Sequence, residues 1–510
     1  MRHEIILILD FGSQYTQLIA RRLRELGVKT VIERGDLPGD EIRACEPIAV
    51  VLSGGPASVF APGALQVDPA VFEIGVPVLG ICYGMQLMAR DLGGEVSASN
   101  RREYGLAELE ISAGSPIVGG TPARQTVWMS HGDQVRRVPD GFEPVGRTDN
   151  TPVAAMVDPH RRLVGLQFHP EVRHTPHGTE MLTAFIEMAG ARRDWNPAAI
   201  RHELVAGLQA RLPEGRVICG VSGGVDSSVT TVLLREAIGE RVVPIFVDTG
   251  LLRKDEANMV MASFAELGIE LDLVDAGDRF LGALEGVADP EEKRRIIGRE
   301  FVEVFEAEAQ RFPDAGYLAQ GTLYPDVIEA SGVRGTAAVI KTHHNVGGLP
   351  ERLGLELVEP LRDLFKDEVR RVGEELGLPH EFVWRHPFPG PGLAVRILGE
   401  ITRDRVRTLQ DADAIAIEEI RRDGLYDEIS QALCVLLPVR SVGVMGDART
   451  YEQVMAVRAV TTSDFMTADW FRFPPETLDR IARRVVNEVA GINRVVYDVT
   501  SKPPGTIEWE

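Results

Sequence analysis

Short apolar runs alternate with longer amphipathic stretches along the first part of the chain. The run EIILILDFG is followed by YTQLIARRLRELG, and the apolar runs PIAVVLSGG and VPVLGICYG come next. Apolar runs of this length, separated by helical patterns, are typical of parallel strands joined by crossover helices. The pattern therefore predicts a doubly wound α/β domain with a mainly parallel sheet over residues 1–193.

The alternation starts again at GRVICGVSGG (215–224) and continues through the helix DSSVTTVLLREAI to the strand RVVPIFVDTG. It predicts a second doubly wound domain over 194–388. The stretch HPFPGPG (386–392) is so rich in proline and glycine that regular structure is excluded there. Beyond it the runs LAVRILG, CVLLPVRSVGVMG, YEQVMAVRAV and RVVYDVT predict strands, with helices from 401 to 432 and at PETLDRIARRVVNEVA. We expect a smaller α+β domain over 389–510.

Charge and cysteine content narrow the class of protein. The chain has 510 residues and a net charge of -21, which disfavours a broad nucleic-acid surface. No apolar run reaches the length of a membrane helix, and MRHEIILILDFG predicts a first strand rather than a signal peptide. Cys45, Cys82, Cys219 and Cys434 form no CxxC pair. We therefore expect a soluble protein of the reducing cytoplasm, without a disulfide framework.

One cysteine lies on a tight corner between a predicted strand and a predicted helix. In Gly80-Ile81-Cys82-Tyr83-Gly84 the flanking glycines leave room for the sharp turn of a nucleophile elbow. A thiol at a helix N-terminus is favoured as thiolate. The amide of Tyr83 could hold an oxyanion, and Gly55 of the turn SGGP could supply a second donor. The alternative is a buried cysteine whose glycines serve packing.

A histidine and a carboxylate follow at another strand end. In LVGLQFHPEV, His169 and Glu171 are two residues apart, so in extended backbone their side chains share a face. A carboxylate beside a histidine orients the ring and stabilises the imidazolium. Two alternatives remain open. In the first, His169 is only a polar residue at a strand end and Glu171 a solvated charge. In the second, His169 forms a metal cluster with His174 and His177.

The segments GICYGMQ, SGGP and FHPE resemble the class I glutamine amidotransferases over about the first 185 residues. The resemblance implies that Cys82 attacks the side-chain amide of glutamine. His169 would protonate the departing ammonia and later activate water, with Glu171 orienting it. The resemblance further implies accessory glutamine-binding positions at Gln86, Ser130 and His131.

A glycine-rich loop opens the second predicted domain. It follows the strand VICGV, and its residues are Ser222, Gly223, Gly224, Val225, Asp226, Ser227 and Ser228. Glycines let the backbone approach an anion, and the helix N-terminus that follows points N–H groups at it. Because no lysine follows the last glycine, this is not a Walker A loop. The alternative is a plain Gly/Ser turn.

The segment SGGVDSS resembles the PP-loop of the ATP pyrophosphatases, which grip the β,γ-diphosphate of ATP and release it whole. This resemblance implies that ATP binds here as its Mg²⁺ complex, with Asp226 linked to the metal. Asp248 ends the next predicted strand, where an open α/β sheet places its ligand crevice. Gln320, Gly321, Thr322 and Asp326 lie near another strand end.

A glutaminase joined to an adenylating domain indicates an ATP-dependent ligase that uses glutamine as its nitrogen source and yields AMP and diphosphate. The substrate stays open on these motifs alone. The further segments RKDE, EEKRRIIGREF, LAQGTLYPDVIE, THHNVGGLP, HPFPGPGLAVR and SKPPGTIEWE resemble the glutamine-hydrolysing GMP synthases over essentially the whole chain.

This resemblance implies that XMP is adenylated and then aminated to GMP, in an enzyme that pairs through its third domain as a homodimer. The XMP-binding positions that it implies are Arg294, Lys502, Thr506, Ile507 and Glu508. Two alternatives are another PP-loop amidotransferase, such as an NAD or asparagine synthetase, and a glutamine sensor without activity.

Overall fold

The computed structural model describes residues 3–112, 115, 117–324, 326–327, 354–445, 448–462, 465 and 467–510. The segment THHNVGGLP and part of LAQGTLYPDVIE lie outside the described residues. The chain divides into two compact units, Met1–Ala199 and Ile200–Glu510. The three-domain boundaries at 193/194 and 388/389 stay predictions.

Within its described residues, the first unit contains nine strands. They are β1 (Ile5–Asp10), β2 (Lys29–Arg34), β3 (Ala49–Leu52), β4 (Val78–Ile81), β5 (Glu95–Ile111), β6 (Arg124–Arg137), β7 (Glu143–Arg147), β8 (Ala155–Asp158) and β9 (Leu163–Leu166). Its helices are α1 (Thr16–Glu25), α2 (Gly39–Ala44), α3 (Tyr83–Asp91) and α4 (Gly178–Ala189), with a 3-10 turn at Pro69–Glu73.

These strands form one sheet in the order β2-β1-β3-β4-β9-β8-β7-β5-β6. The pairings from β2 to β9 are parallel, and β3, β4 and β9 are buried along their whole length. Strands covered on both faces read as continuous apolar runs, which is why the sequence identified them. The pairings from β9 to β6 are antiparallel. This antiparallel half was not predicted.

The second unit carries two further sheets. Its strands are β10 (Arg216–Val221), β11 (Val242–Asp248), β12 (Asp272–Asp275), β13 (Ala315–Ala319), β14 (Glu356–Val358), β15 (Gln431–Met445), β16 (Ala448–Thr461), β17 (Asp469–Trp470) and β18 (Ile492–Tyr497). The helices from Pro197 onward are α5 (Pro197–Arg211), α6 (Val225–Ile238), α7 (Glu256–Glu266), α8 (Gly277–Ala283), α9 (Pro290–Ala309), α10 (Lys366–Glu375), α11 (His380–Val383), α12 (Arg403–Arg422) and α13 (Pro475–Glu488).

The first of these sheets is parallel throughout, in the order β12-β11-β10-β13-β14. The chain therefore leaves β10 toward one edge and later returns to its other side, so the strand order reverses at β10. Open α/β sheets bind ligands at the carboxyl ends of strands at such a reversal. The loop after β10 is the serine- and glycine-rich segment 222–228.

The second sheet follows the Pro/Gly-rich stretch. An antiparallel hairpin of β15 and β16 extends through β17, and β18 pairs parallel with β16. One hydrophobic cluster runs from Ile218 on β10 to Ile492 on β18, so the two sheets of this unit share a core. The α/β class with a smaller α+β region near the end of the chain is confirmed.

Two local predictions in this region are wrong. LAVRILG is not a strand, since Gly392–Arg396 forms a 3-10 turn. Gly392 has φ 63° and follows a proline, and this left-handed backbone breaks an extended segment. The helical region predicted from 401 to 432 is shorter, because α12 ends at Arg422 and a turn at Gly424 with φ 71° follows it.

The Pro/Gly-rich stretch is held by a buried histidine. The Ala432 N–H donates to His386 Nδ1 over 3.1 Å, so Nε2 carries the proton and donates to the Tyr426 carbonyl over 3.0 Å. The imidazole also stacks on the Tyr426 ring at 3.9 Å. Burial lowers the pKa of His386 to about 4, and the charges of Arg253 and Arg421 add to the effect.

His386 therefore predicts a loss of stability in acid. The folded chain disfavours the imidazolium form of His386. The contribution of the neutral ring to the free energy of unfolding is therefore complete above the ordinary pKa of 6.5 and is lost as the pH falls toward 4. The free energy of unfolding should fall by about 3 kcal/mol more in the wild type than in His386→Asn over this range. Urea denaturation at several pH values measures the difference. Parallel pH profiles for the two proteins would contradict the assignment.

Candidate active sites

Cys82 lies on a sharp turn between β4 and α3. Its backbone has φ 52° and ψ −103°, which L residues rarely adopt. A Cβ on Gly84 would lie 2.3 Å from the Leu52 carbonyl oxygen, and one on Gly80 would lie 2.7 Å from the Gly84 backbone. Both positions therefore require glycine, and the turn has the strand–turn–helix geometry expected of an elbow.

His169 and Glu171 lie beside this turn as a buried pair. His169 Nδ1 and Glu171 Oε1 are 2.7 Å apart. Burial opposes protonation of the ring, but the Glu171 carboxylate and a hydrogen bond with Cys82 outweigh it and raise the pKa of His169 well above its ordinary value. The Cys82 thiol donates to the Ser130 carbonyl over 3.6 Å. The arrangement therefore favours the imidazolium form of His169 next to the sulfur.

The SGGP turn lies against the same group. A Cβ on Gly54 would be 3.3 Å from His169 Cε1, and one on Gly55 would be 3.0 Å from the Tyr83 ring. Within the described residues, the backbone N–H groups of Gly55 and Tyr83 donate no hydrogen bond to the protein. Both donors proposed for an oxyanion are thus available.

The other predicted glutamine-binding side chains are engaged inside the protein. The amide nitrogen of Gln86 donates to the Asp133 carbonyl over 2.8 Å and to Gln167 Oε1 over 3.2 Å. His131 Nδ1 lies 2.9 Å from the Asp133 carbonyl, and its Nε2 lies 3.5 Å from Glu103 Oε2. Both side chains are thus bonded to protein partners, and a direct contact with glutamine stays a prediction.

Two of the three histidines in the predicted metal cluster, His174 and His177, make other contacts. The His174 ring packs on Trp128 with centroids 4.6 Å apart, and His177 pairs with Glu180 at 3.2 Å. Over the described ranges, no group of three or more His, Cys, Asp or Glu side chains is arranged to hold a metal ion.

The loop after β10 is organised by its own hydroxyl groups. Ser227 Oγ accepts from the Ser222 N–H over 3.1 Å, and both Ser227 and Ser228 donate to the Gly224 carbonyl. Gly223 has φ 75°, so the chain reverses before α6 begins at Val225. The first turn of α6 therefore faces the carboxyl edge of the sheet, as an anion-binding loop requires.

One carboxylate oxygen of Asp226 is paired, and the other has no partner among the described residues. Lys366 Nζ lies 3.2 Å from Asp226 Oδ2, whereas Asp226 Oδ1 is buried and has no partner among the described residues. Gly321 is so close that its Cβ would lie 2.9 Å from the Asp226 carbonyl carbon, and the buried Thr322 hydroxyl likewise has no partner there. Asp248 ends β11 and accepts from the Gly250 N–H over 2.8 Å.

Two fully buried arginines hold the last part of the chain, residues 498–510. Arg458 donates to the carbonyls of Thr506 and Ile507 over 2.8 and 2.9 Å. Arg396 binds both carboxylate oxygens of Glu508 over 2.8 and 3.1 Å. Arginine is almost never fully buried unless paired, so this docking is a specific feature.

A buried lysine holds the same segment at a third point. Lys293 Nζ lies 2.6 Å from Glu510 Oε2. Its sequence neighbour Arg294, the predicted XMP contact, instead pairs with Glu291 at 2.5 Å on the surface. Lys502, another predicted contact, donates to a backbone carbonyl at 2.6 Å.

Sequence reasoning missed the residues that reach these sites from elsewhere in the chain. Lys366 lies in a segment with no phosphate or nucleotide motif, and Arg396, the last residue of HPFPGPGLAVR, was not predicted as a site residue. Lys293 was passed over in favour of Arg294. Tyr15, whose ring packs edge-on against His169 with centroids 4.9 Å apart, follows β1. Only the DFGSQYT segment at a strand end could have pointed to it.

Family profiles match three parts of the chain. "Glutamine amidotransferase class-I" matches residues 7–189, "NAD synthase" matches 202–295, and "GMP synthase C terminal domain" matches 418–509. The fold and the sites thus define a glutamine amidotransferase joined to an ATP-dependent synthetase. The NAD synthase profile covers only residues 202–295, which include the loop 222–228, so it does not by itself decide the substrate.

Curated relatives decide the family. The chain is 58% identical to the "GMP synthase [glutamine-hydrolyzing]" of Phenylobacterium zucineum over 514 residues, which cover 100% of this chain and 99% of the relative. It is 54% identical to that of Aromatoleum aromaticum and 52% identical to that of Aquifex aeolicus, each with 100% of both chains covered. The chain belongs to the glutamine-hydrolysing GMP synthase family.

The elbow generates a packing prediction. Gly84→Ala should abolish glutamine hydrolysis and destabilise the first unit by about 1–3 kcal/mol, because the new methyl overlaps the Leu52 carbonyl. Gly120→Ala is the matched control, since nothing lies within 4 Å of its Cβ. Glutaminase assays and thermal unfolding measure both variants. Normal hydrolysis by Gly84→Ala would show that the turn is not required.

Proposed function

We propose that Cys82, His169 and Glu171 hydrolyse glutamine and that the loop 222–228 binds the ATP that activates XMP. The chain is an ATP-dependent carbon–nitrogen ligase of glutamine-dependent GMP synthesis, and its full-length relatives support this. The single observation that carries the residue assignment is the strained Cys82 turn beside a buried imidazole–carboxylate pair.

In the glutaminase half, the Cys82 sulfur attacks the side-chain amide carbon of glutamine. The backbone N–H groups of Gly55 and Tyr83 stabilise the oxyanion. The carbon–nitrogen bond then breaks and His169 gives its proton to the departing ammonia, which leaves a glutamyl thioester. His169 takes a proton from water, the resulting hydroxide releases glutamate, and the sulfur is regenerated. Glu171 holds the ring in place throughout.

In the synthetase half, the C2 oxygen of XMP attacks the α-phosphorus of ATP and the diphosphate leaves. The N–H groups at the start of α6 and the serine hydroxyls of the loop hold the diphosphate. Lys366 Nζ, 3.2 Å from Asp226, brings the positive charge that the loop sequence lacks. Ammonia then displaces AMP from the activated carbon and gives GMP.

Magnesium fits the same loop. Asp226 Oδ1 and the Thr322 hydroxyl are buried oxygens without a partner among the described residues, and oxygen is the ligand type that Mg²⁺ prefers. We propose that Asp226 holds the ion. Bound there, Mg²⁺ would offset the negative charge of the diphosphate.

We propose that XMP binds beside residues 498–510, through Arg294, Lys502, Thr506, Ile507 and Glu508. The three buried cations Lys293, Arg396 and Arg458 keep this segment ordered before any ligand arrives. A preordered segment lowers the entropy cost of binding. We also propose a cytoplasmic location, because the four cysteines form no disulfide with one another.

Replacing the nucleophile tests the division of labour. Cys82→Ala should lose glutamine-dependent XMP consumption by at least about 1000-fold and keep ammonium-dependent consumption within about twofold. Cys45→Ala, remote from the elbow along the chain, is the matched control and should keep both. Absorbance at the XMP band follows either reaction. Loss of both activities in Cys82→Ala alone would contradict separate sites.

A homodimer through the hairpin of β15 and β16 is the proposed assembly. Val442 and Val444 lie two residues apart on β15, and Tyr451 is the register partner of Val442. Their exposed fractions are 45%, 77% and 62%. Large apolar side chains exposed together on one face of a hairpin indicate an interaction surface.

A charge on this face should separate the protomers. Val444→Glu is expected to shift the sedimentation coefficient from dimer to monomer, because two carboxylates would be buried across a symmetric contact. Phe60→Glu is the matched control, an apolar residue of the first unit with 59% exposure. An unchanged dimer in Val444→Glu would place the interface elsewhere.

A further inference from the structure

The Pro/Gly-rich stretch 386–392 forms the middle of a short segment, Arg385–Ile397, which we name the bridge segment. The loop 222–228 is called the diphosphate loop from here on, after its proposed ligand. It contacts the diphosphate loop at one end and the segment 498–510 at the other. Apart from Arg396, its residues have no role in the mechanism above.

At the N-terminal end of the bridge segment, the Arg385 side chain binds the backbone of the diphosphate loop. Its Nη1 donates to the Gly223 carbonyl over 3.1 Å, and its Nη2 pairs with Glu256. Glu256 is buried and also accepts from the Arg253 N–H over 2.9 Å at the start of α7. Gly223 has φ 75°, a backbone conformation that glycine adopts readily and other residues rarely do. Arg385 therefore sets the orientation of the peptide that leads into Gly224.

In the middle, the bridge segment touches the loop after β11. The Leu393 N–H donates to the Leu251 carbonyl over 2.8 Å. Gly392 is packed so tightly there that a Cβ would lie 2.4 Å from the same oxygen. This contact fixes the loop that follows Asp248.

At the other end, the bridge segment holds residues 498–510. Arg396 binds Glu508 through two hydrogen bonds. The carbonyls of Ala394 and Ile397 accept from Lys293 over 3.2 and 2.7 Å, and Lys293 in turn binds Glu510.

The interior of the segment is rigid. His386 is held through both ring nitrogens, as described above, and Phe388 lies between two guanidinium groups. Arg253 and Arg396 are 5.3 and 5.0 Å from its ring centroid. Prolines at 387, 389 and 391 further restrict the backbone.

We propose that the bridge segment is a positioning element that fixes the diphosphate loop relative to the nucleotide-binding segment 498–510, with Arg385 and Arg396 as its two anchoring residues. It brings the α-phosphorus and the attacking oxygen to a set separation without touching either substrate. The inference rests on the proposed function, because it takes ATP and XMP as the ligands of the two ends.

The test measures the Michaelis constants for ATP and for XMP in the ammonium-dependent reaction. Substitutions at the two ends of the bridge segment should change different constants. Arg385→Met should raise KM for ATP about tenfold and leave KM for XMP within about twofold. Arg396→Lys, which keeps the charge but loses the two-point hydrogen bonding, should do the reverse. Arg385→Lys, which keeps the positive charge, should raise KM for ATP less than Arg385→Met does. Arg403→Met, which removes an exposed ion pair with Asp278, is the control and should change neither.

If Arg385→Met does not fold, Glu256→Gln removes the charge that holds the guanidinium and should show the same rise in KM for ATP. Equal rises of both constants in each variant, or no change in either, would overturn the proposal. Failure of the wild type to consume XMP would instead contradict the proposed function, so the two results are distinguishable.

Discussion

The left-handed backbone of Cys82 is the constraint on which the glutaminase half depends. At φ 52° the residue cannot continue either β4 or α3, so the sulfur projects from the end of the sheet. Leu52 and the backbone of Gly84 approach so closely that no side chain fits at positions 80 or 84. Strained backbone of this kind persists only where the surroundings over-determine it, and the fully buried strands β3, β4 and β9 do so here.

The synthetase half uses a different constraint, the reversal of strand order at β10. There the chain supplies hydroxyls and N–H groups from one continuous segment, while its cations arrive from distant helices and loops. Lys366 reaches Asp226, and Arg385 reaches Gly223. A motif without a lysine is thus compatible with an anionic ligand, since spatial neighbours carry the positive charge.

Buried cations are the common theme of the second unit. Three cations are fully buried, and each donates a hydrogen bond to the segment 498–510: Lys293, Arg396 and Arg458. Removing any partner would leave a charge in an apolar interior, which is strongly destabilising. The segment is therefore a fixed part of the unit, although a stretch with two prolines and a glycine reads as a loose loop.

The sequence by itself determined the elements whose signal is local. Buried parallel strands, the glycine-flanked Cys82, the His169–Glu171 spacing and the loop 222–228 all depend on neighbouring residues, so one chain suffices to find them. The antiparallel half of the first sheet, the 3-10 turn at 392–396 and the partners Tyr15, Lys293, Lys366 and Arg385 were decided only by the tertiary structure. The strand pairings and the side-chain partners join residues tens to hundreds of positions apart, and the turn at 392–396 packs on the distant Leu251 carbonyl. No local periodicity or propensity encodes such contacts.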